Sequence, residues 1–228
     1  MNGQILTLCI GLVVLGGMMI PLSGPAAAGE QHAISLPEPV SDGGCFHEIL
    51  MNRRSIRSFG TDPLTMDQVS SLLFAAQGEN RPQGKRTVPS AGALYPLEIF
   101  LVAGHVEGIQ AGVYHYAPKD HALTRKISGD MRGSVAQAAL GQGWIADAQA
   151  VVVIAAVKER VTQKYGSRGT SYVHMEAGAA AQSLGLQVAE LGLGSTIVGA
   201  FNDQKVSSIT GISEEMEPLL LMPVGTVP

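Results

Sequence analysis

Cysteine is nearly absent. The 228-residue chain carries two, Cys9 and Cys45, and two cannot build a disulfide framework or a cysteine metal cluster. Positive charge is missing from the N-terminal portion, where no lysine or arginine precedes Arg53. Charged residues make up only 15 % of the chain, with a net charge of −4 and a pI near 5.8. That balance argues against nucleic acid as a partner, since binding it needs a basic surface. No repeat or low-complexity run occurs; the 28 glycines and 12 prolines are spread among apolar segments. Familiar motifs are missing too. GLGS (192–195) lacks the Gly-Lys-Ser/Thr ending of a phosphate loop, and no dinucleotide fingerprint surrounds it. Ser195 lies in GLGST, which is not GxSxG. His174 and Glu176 stand two apart on a helix and face apart. His105, His115 and His121 are scattered near a hairpin, so no metal site is expected.

The apolar content is 46 %, enough for one sizeable core. Much of it opens the chain. ILTLCIGLVVLGGMMIPL (5–22) is uncharged, and Ala26 and Ala28 precede Gly29 in PAAAG. This pattern suits a secretory signal with an Ala-x-Ala cleavage site. The run is also just long enough to span a bilayer as an uncleaved anchor. LTLC lacks the small residue expected before a lipidated cysteine. The expected organisation is a signal peptide or anchor over 1–28, a linker over 29–44, and one folded domain over 45–228. The expected location is periplasmic or extracellular, or membrane-anchored through 5–22.

Within the domain, CFHEILMNRR has Phe46, Ile49 and Leu50 at helical spacing. TMDQVSSLLFAAQG opens with a capping box, Thr65 and Gln68, places Val69, Leu72, Leu73 and Ala76 on one face, and stops at Gly78. LEIFLVAG (97–104) reads as a strand. GVYHYAPKDHALTRKI reads as a hairpin turning at Pro118 to His121, and MRGSVAQAALG as a short helix. AVVVIAAV (150–157) is a buried strand, KERVTQKYGSRG a polar connection, and 171–194 the longest helix. On that helix Ala177, Gly178, Ala180 and Ala181 permit close approach of another helix. STIVGAF reads as a strand, NDQKVSSITG as a helix and EPLLLMPVG as a last strand. Strands and helices mix without regular βαβ alternation, so the class is α+β, with a central mixed sheet flanked by helices.

Residues 53–59 read RRSIRSF. Three guanidinium groups around hydroxyls suit phosphate oxygens, although the cluster alone favours an exposed helix end. Three further stretches change that balance: PSAGALYP (89–96) before a strand, KYGSRG (164–169) before the long helix, and GLGSTIVGAF (192–201) after it. In this order, with RRSIRSF, they resemble the nitroreductase-like flavoproteins, and more closely the SagB/ThcOx-type dehydrogenases, which oxidise azolines to azoles in modified peptides. LLFAAQG (72–78), GVYHYAP (112–118), LGQGWI (140–145) and PVG (223–225) add to the likeness, which runs from about Phe46 to Pro223.

The resemblance implies an FMN-dependent oxidoreductase with hydride transfer at flavin N5, a homodimer with FMN at the subunit interface, and a small-molecule or peptide substrate. Arg53 and Ser55 would hold the phosphate. Arg54 would assist, or stand free in solvent. Arg57 matches the family position at the pyrimidine edge of the flavin, where a cation stabilises the anion formed on reduction. Ser90, Gly92 and Leu94 would lie against the ring. Gly199 and Ala200 match the position whose backbone N–H groups face N5. Lys164 and Tyr165 match a Lys-Tyr pair implicated in removing a substrate proton; a lysine serves as a base when burial lowers its pKa. The subfamily carries His and Asn on the long helix where this chain has Ala179 and Ser183, and an aromatic or Arg near Thr170–Ser171 is missing, which leaves the substrate open. An exported, flavin-free binding or scaffold protein retaining the fold is the alternative.

Overall fold

The computed structural model describes residues 44–228. The expected leader, the anchor alternative and the linker up to residue 43 lie outside the described residues.

The chain enters through helix α1 (Cys45–Asn52) and helix α2 (Met66–Gln77). The capping box of α2 is present: Thr65 N–H donates to Gln68 Oε1 at 2.9 Å, and Gln68 N–H to Thr65 Oγ1 at 3.2 Å. Val69, Leu72, Leu73 and Ala76 are buried as their spacing predicts. In α1 no residue is buried, and Phe46 and Met51 are 62 % and 73 % exposed. A small hairpin, β1 (Glu79–Arg81) and β2 (Lys85–Arg86), follows α2. A short 3₁₀ turn at Ala91–Ala93 then leads into β3 (Leu97–Ala103).

β3, β4 (Gly112–Ala117) and β5 (Ala122–Ser128) form a meander. Helices α3 (Arg132–Ala138) and α4 (Trp144–Asp147) precede β6 (Ala150–Ala156). Then come α5 (Glu159–Tyr165), α6 (Arg168–Glu190), β7 (Leu193–Ser195), α7 (Asp203–Thr210) and β8 (Glu217–Thr226). The six strands lie in the order β5-β4-β3-β6-β8-β7. Every ladder in this sheet is antiparallel, so the α+β class holds while the expected mixed pairing is corrected. The reason is β8. The two-helix crossover from β6 to β7 joins strands of the same direction, but β8 inserts between them and pairs antiparallel with both.

All seven residues of β6 are buried, because both faces of the sheet are covered. Side chains alternate between faces. Val152 and Ile154 join a core under α2 and α6, while Val151 and Val153 join one under α3, α4 and α7. Two expectations change. KERVTQKY is not an irregular connection but α5, with Val161 buried. Gly178 does not serve a close helix contact within the chain: it is exposed, and a Cβ there would meet nothing within 4 Å.

Candidate functional site

The basic segment leaves α1 extended and is fixed to the edge strand. Ile56 N–H donates to the Ser195 carbonyl at 2.9 Å. Its side chain rests on Gly194, where a Cβ would fall 2.6 Å from Ile56 Cγ2; only a glycine permits that approach. Anchored there, Arg53, Arg54, Ser55 and Arg57 line a cavity of about 530 Å³, within the usual size range of ligand pockets. The facing wall is α6, with the small residues Ala181, Gly185 and Ala189.

The cavity's electrostatics are one-sided. Among the described residues no aspartate or glutamate lines it, and none of its three arginines is in an ion pair. Arg57 lies over the Trp144 ring at 5.7 Å. Ser195 Oγ, in the cavity wall, is buried without a hydrogen-bond partner. Guanidinium groups, the Ser55 hydroxyl and an orphaned buried hydroxyl fit an anion with several oxygens. The small-residue wall leaves room for a flat group.

The other expected site residues lie elsewhere; none of Ser90, Gly92, Leu94, Lys164, Tyr165, Gly199 and Ala200 lines this cavity. A second group forms where the 3₁₀ turn meets α5. A Cβ on Gly92 would fall 2.8 Å from Tyr165 Oη and 3.0 Å from Lys164 Nζ, and Gly92 has φ +61°. Lys164 Nζ lies over the Tyr165 ring at 5.4 Å, and Tyr165 meets Tyr172 edge-on at 5.2 Å. Lys164 is exposed in the single chain, so the burial expected of a lysine base is not supplied by this chain alone. Ser90 Oγ accepts from Tyr95 N–H at 2.9 Å, and Leu94 packs partly buried on the core.

A third group holds Gly199 and Ala200, both exposed just after Val198, which bridges to Leu221. Gln142 Nε2 donates to the Ala200 carbonyl at 3.3 Å. The segment from Gln142 to the start of α4 at Trp144 therefore touches both Ala200 and Arg57.

Three residues acquire importance only in the fold. Ser195 reaches the cavity because Ile56 docks beside it; the glycines of GLGS were the available signal. Glu176 is 4 % exposed with neither carboxylate oxygen partnered. Burial pushes its pKa up to about 7, although Ser90 and Arg86 pull the other way. Arg86 donates to Gln77 Oε1 at 2.8 Å, and burial pulls its pKa down. A carboxylate on the apolar face of a small-residue helix was the signal for Glu176; nothing local marked Arg86.

Several known proteins resemble this chain. The chain is 47 % identical over 178 residues to "Putative nitroreductase MJ1384" of Methanocaldococcus jannaschii, covering 78 % of this chain and 89 % of that protein. It is 29 % identical over 177 residues to the microcin B17-processing protein McbC of Escherichia coli, covering 72 % of this chain and 63 % of McbC. A solved structure from Ralstonia eutropha, described as a putative nitroreductase, matches with a TM-score of 0.71 at 29 % identity, over 86 % of this chain and 89 % of that one. The model of the Nitroreductase family matches residues 50–226, and with the basic segment, the glycine-rich turn and the six-stranded sheet all inside that span, the chain belongs to the nitroreductase family.

Proposed function

We propose that this protein is an FMN-dependent oxidoreductase that acts as a homodimer. The observation that carries the reading is a cavity in which, among the described residues, three arginines have no acidic partner and a buried serine hydroxyl has no hydrogen-bond partner. Arg53 and Ser55 hold the phosphate, with Arg54 beside them; charge-assisted hydrogen bonds of this kind contribute roughly 1.5–3 kcal/mol each. Arg57, braced on Trp144, supplies the cation near the flavin ring. Ser195 gives a further hydroxyl contact. When bound, FMN supplies hydride exchange at N5 with one substrate and then another.

The Ser90–Leu94 turn and the Lys164–Tyr165 pair are complete in themselves but lie off the cavity of their own chain. A second copy that brings its turn over this cavity would unite the two groups and bury Lys164. The exposed apolar side chains of α1 support such a contact, since Met51 lines the cavity and Phe46 stands bare on the same helix. In this assembly Lys164, oriented by Tyr165, takes a proton from a substrate carbon or nitrogen as it is oxidised. The likeness to McbC favours a peptide-derived substrate of the SagB type, and the leader reading favours action outside the cytoplasm. The flavin-free scaffold alternative gains nothing from a cavity whose arginines have no acidic partner among the described residues.

The deciding experiment is purification with added FMN, followed by flavin absorbance, sizing and anaerobic photoreduction. Yellow protein of dimeric size whose flavin photoreduces and is reoxidised by an added acceptor is the expected result. Colourless protein that takes up no FMN would establish the scaffold reading.

A further inference from the structure

The turn that presents Ser90, Gly92 and Leu94 is strained. Gly92, Ala93 and Tyr95 all have positive φ, at 61°, 54° and 44°. For alanine and tyrosine this region is disfavoured by contact of Cβ with the backbone, and it persists only where the surroundings over-determine it. Four contacts converge on Tyr95. Its N–H donates to Ser90 Oγ at 2.9 Å, and its carbonyl accepts from Arg160 Nη1 at 3.0 Å. Its hydroxyl accepts from the Arg86 N–H at 3.4 Å, and the Arg86 guanidinium lies over its ring at 4.9 Å. Arg86 is held in turn by Gln77 Oε1, and Arg160 by Glu98 at 2.7 Å.

Glu176 faces this scaffold from α6. Ser90 and Arg86 are the groups that act on its carboxyl. Neither of its two buried oxygens has a well-formed hydrogen bond, although the Ser90 hydroxyl stands near enough to act on the carboxyl, and Arg86 Nε is a buried donor without an acceptor. The Ser90 hydroxyl already accepts from Tyr95, which leaves its own proton to give. A neutral Glu176 leaves Ser90 and Arg86 to Tyr95 and Gln77. An ionised Glu176 takes the free Ser90 proton in a hydrogen bond, which fixes the hydroxyl that accepts from Tyr95, and attracts the Arg86 guanidinium away from Gln77 and the Tyr95 ring.

We propose, building on the oxidoreductase reading above, that Glu176 is a positioning residue that acts through Ser90 and Arg86 on the strained Ser90–Tyr95 turn, and so sets how Gly92 meets Lys164 and Tyr165. The raised pKa of the buried carboxyl puts its ionisation near neutrality, so the turn responds to pH in that range. The charged groups around it are few. Arg86 stands on β2 and itself feels Glu98 on β3, Glu79 on β1 and Arg160 on α5. α5 also carries Lys164 and Tyr165 at Gly92. α2 contributes the uncharged Gln77, and Glu217 on β8 is paired with Lys158. His115 joins the network through Glu98, at 2.8 Å.

An NMR titration of the full chain, with and without FMN, tests this. The amides of Gly92, Ala93 and Tyr95 and the carboxyl carbon of Glu176 are followed from mildly acidic to mildly basic pH. All are expected to share one midpoint. Glu176→Gln removes that midpoint from the amides. Ser90→Ala leaves the carboxyl titrating while weakening the response of the amides. His115→Gln, at the far end of the Glu98 link to Tyr95, leaves the midpoint in place. Amides that stay still while the carboxyl titrates, or that keep their midpoint in Glu176→Gln, would overturn the proposal. Should Glu176→Gln fail to fold, the wild-type coincidence of midpoints and the Ser90→Ala variant still decide. FMN uptake is read in the same samples, so loss of the flavin reading appears as absent binding while the flavin-free titration stands.

Discussion

Two arginine-rich regions of this molecule use the same side chain for opposite ends. Among the described residues, Arg53, Arg54 and Arg57 stand around a cavity with no acidic residue in its lining and no ion pair of their own. Arg86 and Arg160 are turned inward on the fold: one holds Gln77 and the Tyr95 ring, the other Glu98 and the Tyr95 carbonyl. Unpaired cations at a concave surface leave a binding capacity for an anion. Paired cations spend theirs inside the fold, here on keeping a disfavoured turn in place. Function and architecture thus separate by partner, not by residue type.

Substitutions should divide along the same line. The largest effect is expected from Lys164→Ala. It should keep bound, yellow FMN but lose on the order of a hundredfold or more in the half-reaction that removes a substrate proton. Reduction of a simple acceptor by the reduced flavin should change little. Stopped-flow measurement of the two half-reactions checks this, and equal loss in both would take Lys164 out of proton transfer.

Arg86→Ala should act on the architectural side. It strips Gln77 of its donor and leaves Glu176 without its neighbouring cation, so it should destabilise the fold by about 3 kcal/mol. Thermal or urea unfolding gives the value. A variant as stable as wild type would mean that the turn holds itself.

Arg53→Ala should show the reverse pattern. It should weaken FMN binding by roughly 1.5–3 kcal/mol, about tenfold to a hundredfold, with unfolding unchanged. Flavin fluorescence titration beside a melt distinguishes the two. An unaltered dissociation constant would remove Arg53 from the site.

The smallest effect concerns acid. Burial alone would raise the Glu98 pKa, but hydrogen bonds from His115 and Arg160 outweigh it and hold the carboxyl below its ordinary value. A depressed folded pKa contributes stability that is fully present above the ordinary carboxylate range and is lost as pH falls through the folded value. Glu98→Gln should therefore flatten the acid limb of the stability curve and leave FMN affinity at neutral pH untouched. A variant whose acid limb matches wild type would sever Glu98 from the brace.

An export prediction stands apart from these. Mature protein should begin near Gly29, by mass spectrometry of the exported material, and an intact Met1 in a membrane fraction would instead establish the anchor.

Much was legible from the sequence because it depends on neighbours along the chain. The capping box at Thr65, the buried face of α2, the hairpin at 118–121 and the wholly buried β6 follow from spacing and turn chemistry, which are local. RRSIR was legible as a candidate anion segment only beside the other motifs, because guanidinium chemistry is local while the use made of it is not. What the sequence could not decide depends on which segments meet. The sheet is antiparallel because β8, the last strand in the chain, slides between β6 and β7. KERVTQKY is a helix because Val161 finds a buried place and α5 lies against Gly169 of α6, where a Cβ would fall 2.9 Å from the Thr162 backbone. Ser195 enters the cavity through Ile56, a residue far away in sequence. Above all, the single site implied by the motifs divides within one chain into an arginine cavity, a Gly92–Lys164–Tyr165 cluster and the Gly199–Ala200 strand end. The sequence determined the chemistry each group can perform, since that resides in side chains. Only the tertiary structure decided which groups share a cavity, and that Glu176, an ordinary helix carboxylate in the sequence, is sealed from water where ionisation is costly, because burial is set by long-range packing.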